Sequence, residues 1–213
     1  MPDNIATAAD TALIIVARYP LPGTTKTRLA RAIGDDATIQ LYTAFLTDLA
    51  LKFGRPEGGA NGADGADGAY RAYDLHWAYT PAGVDFAALL SSLVPRSLPP
   101  MRSFPQQGEG LGERLLSAFR HVHEQGYRRA ILIGSDSPHV PPAIVSKARA
   151  ALDDADIVLG PAEDGGYYLI AMQQPYDVFR DIPMSTDKVL SMTIDLAVQQ
   201  GLRVRTLETL FDV

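Results

Sequence analysis

Apolar residues along this chain follow two patterns: short unbroken runs, and longer stretches in which they recur every three or four positions. The unbroken runs lie at 12–17, 131–133, 156–161 and 168–172 and are rich in Ile, Val, Leu and Ala. Continuous apolar runs with no polar alternation suit strands covered on both faces, as in a parallel sheet. Residues 73–79 alternate instead, with Leu75, Trp77 and Tyr79 on one face, and predict a further strand. A short strand is expected from Arg102 and a last one over 204–207. Between these runs the period changes. Ile39, Tyr42, Leu46, Leu49 and Phe53 share one face of a helix, as do Leu111, Leu115, Ala118 and Val122. Helices are also predicted over 85–93 and 143–152. Another carries Val189, Leu190, Thr193 and Leu196, is capped by Ser185 or Thr186, and ends near Gly201. Strands alternating with helices predict an α/β fold of three layers, α/β/α, with a mostly parallel central sheet.

The chain has 213 residues, of which 46% are hydrophobic, enough for one domain spanning 1–213 with a sizeable core. Residues 54–70 are Gly/Ala/Asp-rich, hold too little apolar surface to fold, and read as a flexible insertion. A net charge of -6 argues against binding nucleic acid or an anionic membrane, so any phosphate site must be a local cluster of cations or backbone N–H groups. With 0 cysteines there are no disulfides or thiolate metal sites. No apolar run approaches the ~20 residues of a membrane helix, and the first ten residues do not resemble a secretory signal. The expected location is cytoplasmic.

Three polar stretches interrupt the pattern where open α/β sheets place their ligands, beyond the carboxyl ends of strands. The first, Arg18-Tyr19-Pro20-Leu21-Pro22-Gly23-Thr24-Thr25-Lys26-Thr27-Arg28, follows the first strand. Its prolines and Gly23 forbid regular structure, and its cations and hydroxyls stand just ahead of helix-forming sequence. That crowding favours an anion site over a solvated loop. It is not a Walker A loop, which needs a second glycine. The second stretch, Gly134-Ser135-Asp136-Ser137-Pro138, ends the central strand. Asp136 could hold Mg²⁺ or Mn²⁺ against a diphosphate, or could cap the helix that Pro141 and Pro142 introduce. The third, Glu163-Asp164-Gly165-Gly166-Tyr167, reads equally as a tight turn between two strands and as carboxylates facing Asp136 beside a substrate. Gly108 and Arg114, ahead of and within a helix start, could approach a phosphate or be an ordinary loop glycine and a solvated cation.

Taken together, these three stretches resemble, in order and spacing, a bacterial glycosyltransferase-like family with the GT-A, or nucleotide-diphospho-sugar transferase, fold; some of its members are assigned to arsenosugar biosynthesis. Gln107-Gly108, Leu111-Gly112-Glu113-Arg114 and Ile182-Pro183-Met184-Ser185-Thr186 are similar to family segments as well. The likeness spans nearly the whole chain apart from the insertion. More distantly, the chain resembles the phospholactate guanylyltransferases, through Lys26-Thr27-Arg28-Leu29, and the molybdenum-cofactor nucleotidyltransferases.

The resemblance implies a Rossmann-like GT-A domain in which Arg18, Gly23, Lys26, Thr27, Arg28, Gly108, Arg114 and Ser135 serve the nucleotide and its phosphates. Asp136 matches the metal-binding member of an Asp-x-Asp element, although Ser137-Pro138 stands where a second Asp would follow. Glu163 and Asp164 match the catalytic region, with Gly165, Gly166 and Tyr167 on the acceptor side. Relatives often continue after the position of this chain's Asp212-Val213 with a further candidate metal ligand; the resemblance implies that a natural end here would weaken metal binding or leave Asp164 to complete the site. The expected function is a Mg²⁺- or Mn²⁺-dependent transferase moving a sugar from a nucleotide-sugar to a small-molecule acceptor. The alternatives are nucleotidyl transfer from a nucleoside triphosphate to a small phosphorylated acceptor, and nucleotide binding without turnover.

Overall fold

A computed structural model describes residues 9–54, 73–95, 98 and 101–211. The Gly/Ala/Asp-rich insertion beyond Gly54, the Pro99-Pro100 pair and the Asp212-Val213 end lie outside them. The elements run β1 (Thr11–Arg18), α1 (Thr27–Ile33), α2 (Asp35–Phe53), β2 (Asp74–Thr80), α3 (Phe86–Leu93), β3 (Arg102–Pro105) and α4 (Leu111–Glu124). They continue with β4 (Arg129–Gly134), α5 (Pro142–Ala151), β5 (Ile157–Pro161), β6 (Tyr167–Met172), α6 (Val189–Gln199) and β7 (Val204–Thr206).

The seven strands form one sheet in the order β3-β2-β1-β4-β6-β5-β7. All run parallel except β6, which is antiparallel to both neighbours. The unbroken apolar runs are explained by coverage on both sides. Leu13, Ile15, Ile131 and Ile133 face a core shared with α2, α3 and α5. Their neighbours Ala12, Ile14, Ala130 and Leu132 face a second core with α4 and α6. Side chains alternate across a strand, so a strand buried on both faces must be apolar at every position. Trp77, Phe53, Phe86 and Phe119 are among the largest fully buried side chains, and a buried Phe alone contributes about 1.5–3 kcal/mol by leaving water.

Helix α2 begins at Asp35 and not at the first periodic apolar residue, Ile39, because Asp35 and Asp36 complement the positive end of the helix. Ahead of it α1 buries no residue, so no apolar period announces it. Two expected caps are corrected. Helix α5 starts at Pro142 with Pro141 as N-cap, so Asp136 caps nothing. Helix α6 starts at Val189 with Lys188 as N-cap; Ser185 sits at φ 69 in a turn before it, and the Thr186 hydroxyl accepts only a long 3.4 Å bond from the Lys188 N–H.

Candidate active site

Register brings the separated polar stretches together. Strands β1 and β4 pair in parallel with Val16 opposite Gly134, and Ser135 donates its N–H to Val16 O at 2.9 Å. Strand β2 places Thr80 opposite Arg18, and Gln106, just past β3, donates its N–H to Tyr79 O at 2.8 Å. Four strands therefore end at one level, and the loops beyond them meet.

The loop after β1 is held by one buried threonine. Thr25 is 2% exposed, and its hydroxyl donates to Tyr19 O at 3.3 Å and accepts from the Leu21 N–H at 3.0 Å. The next residue, Lys26, occupies the left-handed region at φ 42, which costs a residue with a Cβ roughly 1–3 kcal/mol. That conformation sends its ammonium 5.4 Å from the centre of the Phe45 ring and 3.2 Å from Asp136 Oδ1. The lysine is mostly covered and Asp136 is 56% exposed, so the carboxylate keeps open space beside it.

Tyr42 fixes the other side. Its hydroxyl accepts the Arg18 N–H at 2.9 Å and is hydrogen-bonded to Ser135 Oγ at 2.8 Å. Burial pushes the Tyr42 phenol up to about 12, so it stays a donor. A buried phenol proton left unspent is costly. The economical arrangement has Tyr42 donating to Ser135, which frees the serine O–H to point at a ligand.

Around these groups lies a cavity of about 270 Å³, lined by Arg18, Lys26, Arg114, Tyr42, Ser135 and Asp136 among others. It presents three cations against one carboxylate. Arg114, one of its lining residues, has a buried Nε with no hydrogen-bond partner among the described residues. A guanidinium N–H without a partner is a group awaiting an acceptor.

A second cavity, of about 360 Å³, opens on the far side of Asp136 and shares Val16, Leu111, Ser135 and Asp136 with the first. Its wall includes Asp164, Gly166 and Tyr167 from the β5–β6 connection and Met184, Ser185 and Thr186 from the turn before α6. The tight-turn reading of Glu163-Asp164-Gly165-Gly166 describes this hairpin, and Asp164 and Gly166 also line the cavity that Asp136 borders. Asp164 Oδ1 accepts the Gly166 N–H at 2.8 Å, an Asx turn, while the residue as a whole faces the cavity.

Several predicted site residues lie outside both cavities. Glu163 is exposed and gives its N–H to Leu210 O at 3.1 Å; of the pair, Asp164 alone lines the second cavity together with Asp136. Thr27 and Arg28 are exposed on α1, turned away by the helix that Lys26 begins. Gly23 braces the loop, giving its N–H to Asp35 Oδ1 at 3.2 Å. Gly108, at φ 117, lets the chain pass so close to Glu113 that a Cβ would fall 2.6 Å from that side chain. Gly165, at φ 87, abuts the turn before α6, and a Cβ there would fall 2.3 Å from Asp187 O. These three glycines position walls; they do not line them. Conversely Tyr42, Gln106 and the 184–186 turn line the cavities, although the sequence marks none of them as a site residue.

Asp136 is the carboxylate able to share a divalent ion with a ligand in the first cavity. Among the described residues no group of three acidic or histidine side chains could hold an ion unaided. Among them, too, no helix is long and apolar enough to cross a membrane.

Residues 70–186 match the family described as "Uncharacterized protein conserved in bacteria (DUF2064)". The chain is similar to a solved protein from Desulfovibrio desulfuricans G20, provisionally named a nucleotide-diphospho-sugar transferase. The two share 32% identity with a TM-score of 0.80, over 96% of this chain and 82% of that one. Two more distant structures share the fold alone. A cytidylyltransferase from Leptospira borgpetersenii has 8% identity and a TM-score of 0.57 over 94% of this chain and 76% of its own. The 4-diphosphocytidyl-2C-methyl-D-erythritol synthase of Anaerococcus prevotii has 8% identity and a TM-score of 0.55 over 93% and 87%. No curated protein matches the chain.

Proposed function

We propose that this chain, which belongs to the DUF2064 family and has a nucleotide-diphospho-sugar transferase-like fold, transfers a glycosyl group from a nucleotide-diphospho-sugar to a small acceptor. The observation that carries this reading is the meeting of Lys26 and Asp136 at 3.2 Å in a cavity that also holds Arg18 and Arg114. Cations from three separate elements around one open carboxylate suit a diphosphate and the ion that travels with it.

In this reading Arg18, Lys26 and Arg114, which line the first cavity from three elements, bind the diphosphate. Ser135, held by Tyr42, donates one more hydrogen bond. The acceptor lies in the second cavity with its hydroxyl at the junction beside Asp136. Its oxygen forms the new bond to the anomeric carbon as the bond from that carbon to the β-phosphate oxygen breaks. The electron pair leaves with the nucleoside diphosphate. The three cations stabilise the charge that grows on that leaving group. Asp164, whose Oδ1 is engaged by the Gly166 N–H, takes the acceptor proton on Oδ2 and passes it to water. Asp136 would hold Mg²⁺ or Mn²⁺ jointly with the diphosphate, an arrangement usual for ions that keep several waters. The ion would supply further charge stabilisation to the leaving diphosphate.

The test is calorimetry with UDP, GDP, CDP and ADP, each with and without Mn²⁺. At least one should bind, more tightly with Mn²⁺, and Asp136→Asn should abolish the metal effect. Metal-dependent affinity that survives in Asp136→Asn would overturn the assignment.

A further inference from the structure

The two cavities that meet at Asp136 differ in charge, and the difference bears on what the second one accepts. The first is lined by Arg18, Lys26 and Arg114. The second, among its described lining residues, contains no Lys, Arg or His. Its charged side chains are the carboxylates Asp136 and Asp164. Lys188 and Arg114 each adjoin a lining residue along the chain, Val189 and Leu115, but Lys188 is exposed, Arg114 lines the first cavity, and neither lines the second. The remaining surface divides into an apolar part, which includes Leu115, Leu132, Met184 and Val189, and a few hydroxyls, Ser137, Ser185 and Thr186. A cavity of about 360 Å³ lies at the small end of ligand sites and suits a molecule of one or two rings.

An acceptor carrying a phosphate or carboxylate would bring its charge beside Asp164, and beside Asp136, whose charge Lys26 meets from the first cavity, while no cation in the described lining meets the acceptor's own charge. It would give up water for nothing in return, and juxtaposed like charges are among the strongest devices for rejecting a ligand. A neutral polyol meets the opposite situation. Its C–H face covers Leu115, Leu132, Met184 and Val189, and its hydroxyls donate to Asp164 Oδ2 and the Ser and Thr oxygens. We propose that the second cavity takes an uncharged, hydroxyl-bearing acceptor with one apolar face, and excludes phosphorylated or carboxylated ones. The inference rests on the proposed donor site for its place in the reaction. It also separates glycosyl transfer from nucleotidyl transfer to a phosphorylated acceptor, since the latter needs a cation for the acceptor's phosphate where the described lining has none.

The chain is titrated, without nucleotide, with matched neutral and anionic probes: phenyl β-D-glucoside against phenyl β-D-glucuronide, and the corresponding galactoside against its galacturonide. Binding is read by saturation-transfer NMR, and any probe binding that inorganic pyrophosphate displaces is assigned to the cations of the first cavity and left out of the ratio. In at least one pair the neutral member should bind at least tenfold more tightly. Thr186→Lys, which adds a cation to the wall, should narrow or reverse that ratio while leaving nucleotide affinity unchanged. Equal binding within both pairs, no binding by any probe, or a ratio indifferent to Thr186→Lys would each overturn the inference. Because no nucleotide is present, failure of the donor site would show separately, as absence of diphosphate binding in the calorimetric series.

Discussion

Replacing Lys26 with Met removes a charge while keeping most of the stem that packs by Phe45, and its effect can be worked out from the geometry. The lysine side chain is 16% exposed, and its ammonium lies 3.2 Å from Asp136 Oδ1. A diphosphate entering the cavity would exchange part of that pairing for hydrogen bonds to its own oxygens. A charge-assisted bond of this kind is worth about 1.5–3 kcal/mol, and its loss leaves Asp136 facing the phosphates unneutralised, which adds in the same direction. Taking 2–3 kcal/mol as the sum, affinity for the diphosphate falls about 30- to 150-fold. The nucleoside without phosphates should bind the variant as it binds the wild type. Stability should hardly change, because Met at the same left-handed position bears the same backbone strain and a partly exposed ion pair is worth only about 0–1 kcal/mol. The assay is calorimetry with the tightest binder among UDP, GDP, CDP and ADP beside its own nucleoside, with urea unfolding as the stability control. A loss of less than threefold for the diphosphate, or an equal loss for the nucleoside, would refute a phosphate role for Lys26.

Tyr42→Phe strips the bond accepted from the Arg18 N–H and the one shared with Ser135, and should lower stability by about 1–3 kcal/mol in urea unfolding while weakening diphosphate binding; full retention of both would show the hydroxyl to be idle. His76 is fully buried beside Tyr127, and burial, helped by Arg102, pushes its pKa down to about 4. Since the unfolded chain takes up this proton first as pH falls, stabilisation present above about 6.5 is lost between there and about 4, up to roughly 3 kcal/mol. His76→Gln should flatten that part of the stability profile, and an unchanged slope would refute the assignment. Gly165→Ala forces a Cβ to within 2.3 Å of Asp187 O at a φ of 87, so the 184–187 turn must move; neutral-probe binding should fall with diphosphate affinity intact, and a crystal structure with that turn unmoved would contradict this.

How far the site could be read in advance depended on what each residue has to do. Lys26 and Asp136 are legible because a charge just past a buried strand breaks the local pattern, and no core requirement explains it. Their meeting was not a local property. It follows from Val16 lying opposite Gly134, a register that no apolar run records. The reversal of β6 was hidden for a related reason: a strand buried on both faces is apolar throughout whichever way it runs. Tyr42 was found, but as a member of the apolar face of α2. One end of that side chain packs in the core and the other orders Arg18 and Ser135, and periodicity reports only the first. Gln106 gives its side-chain amide to Ala78 O at 2.7 Å and Ala17 O at 3.3 Å, binding the ends of β1 and β2 together, which is a contact between elements and not a motif. The glycines present the converse case. Gly23, Gly108 and Gly165 are conspicuous beside the polar stretches, and proximity to a ligand is the simplest use for them. Each instead permits a backbone path, and Gly165 does so where the two walls of the second cavity touch. That contact ties the hairpin carrying Asp164 to the turn carrying Met184, Ser185 and Thr186. The shape of the acceptor cavity therefore rests on a residue with no side chain to present to the acceptor. A glycine read from sequence as part of a binding surface can equally be the hinge-point that sets where the surface stands, and only the neighbouring backbone distinguishes the two.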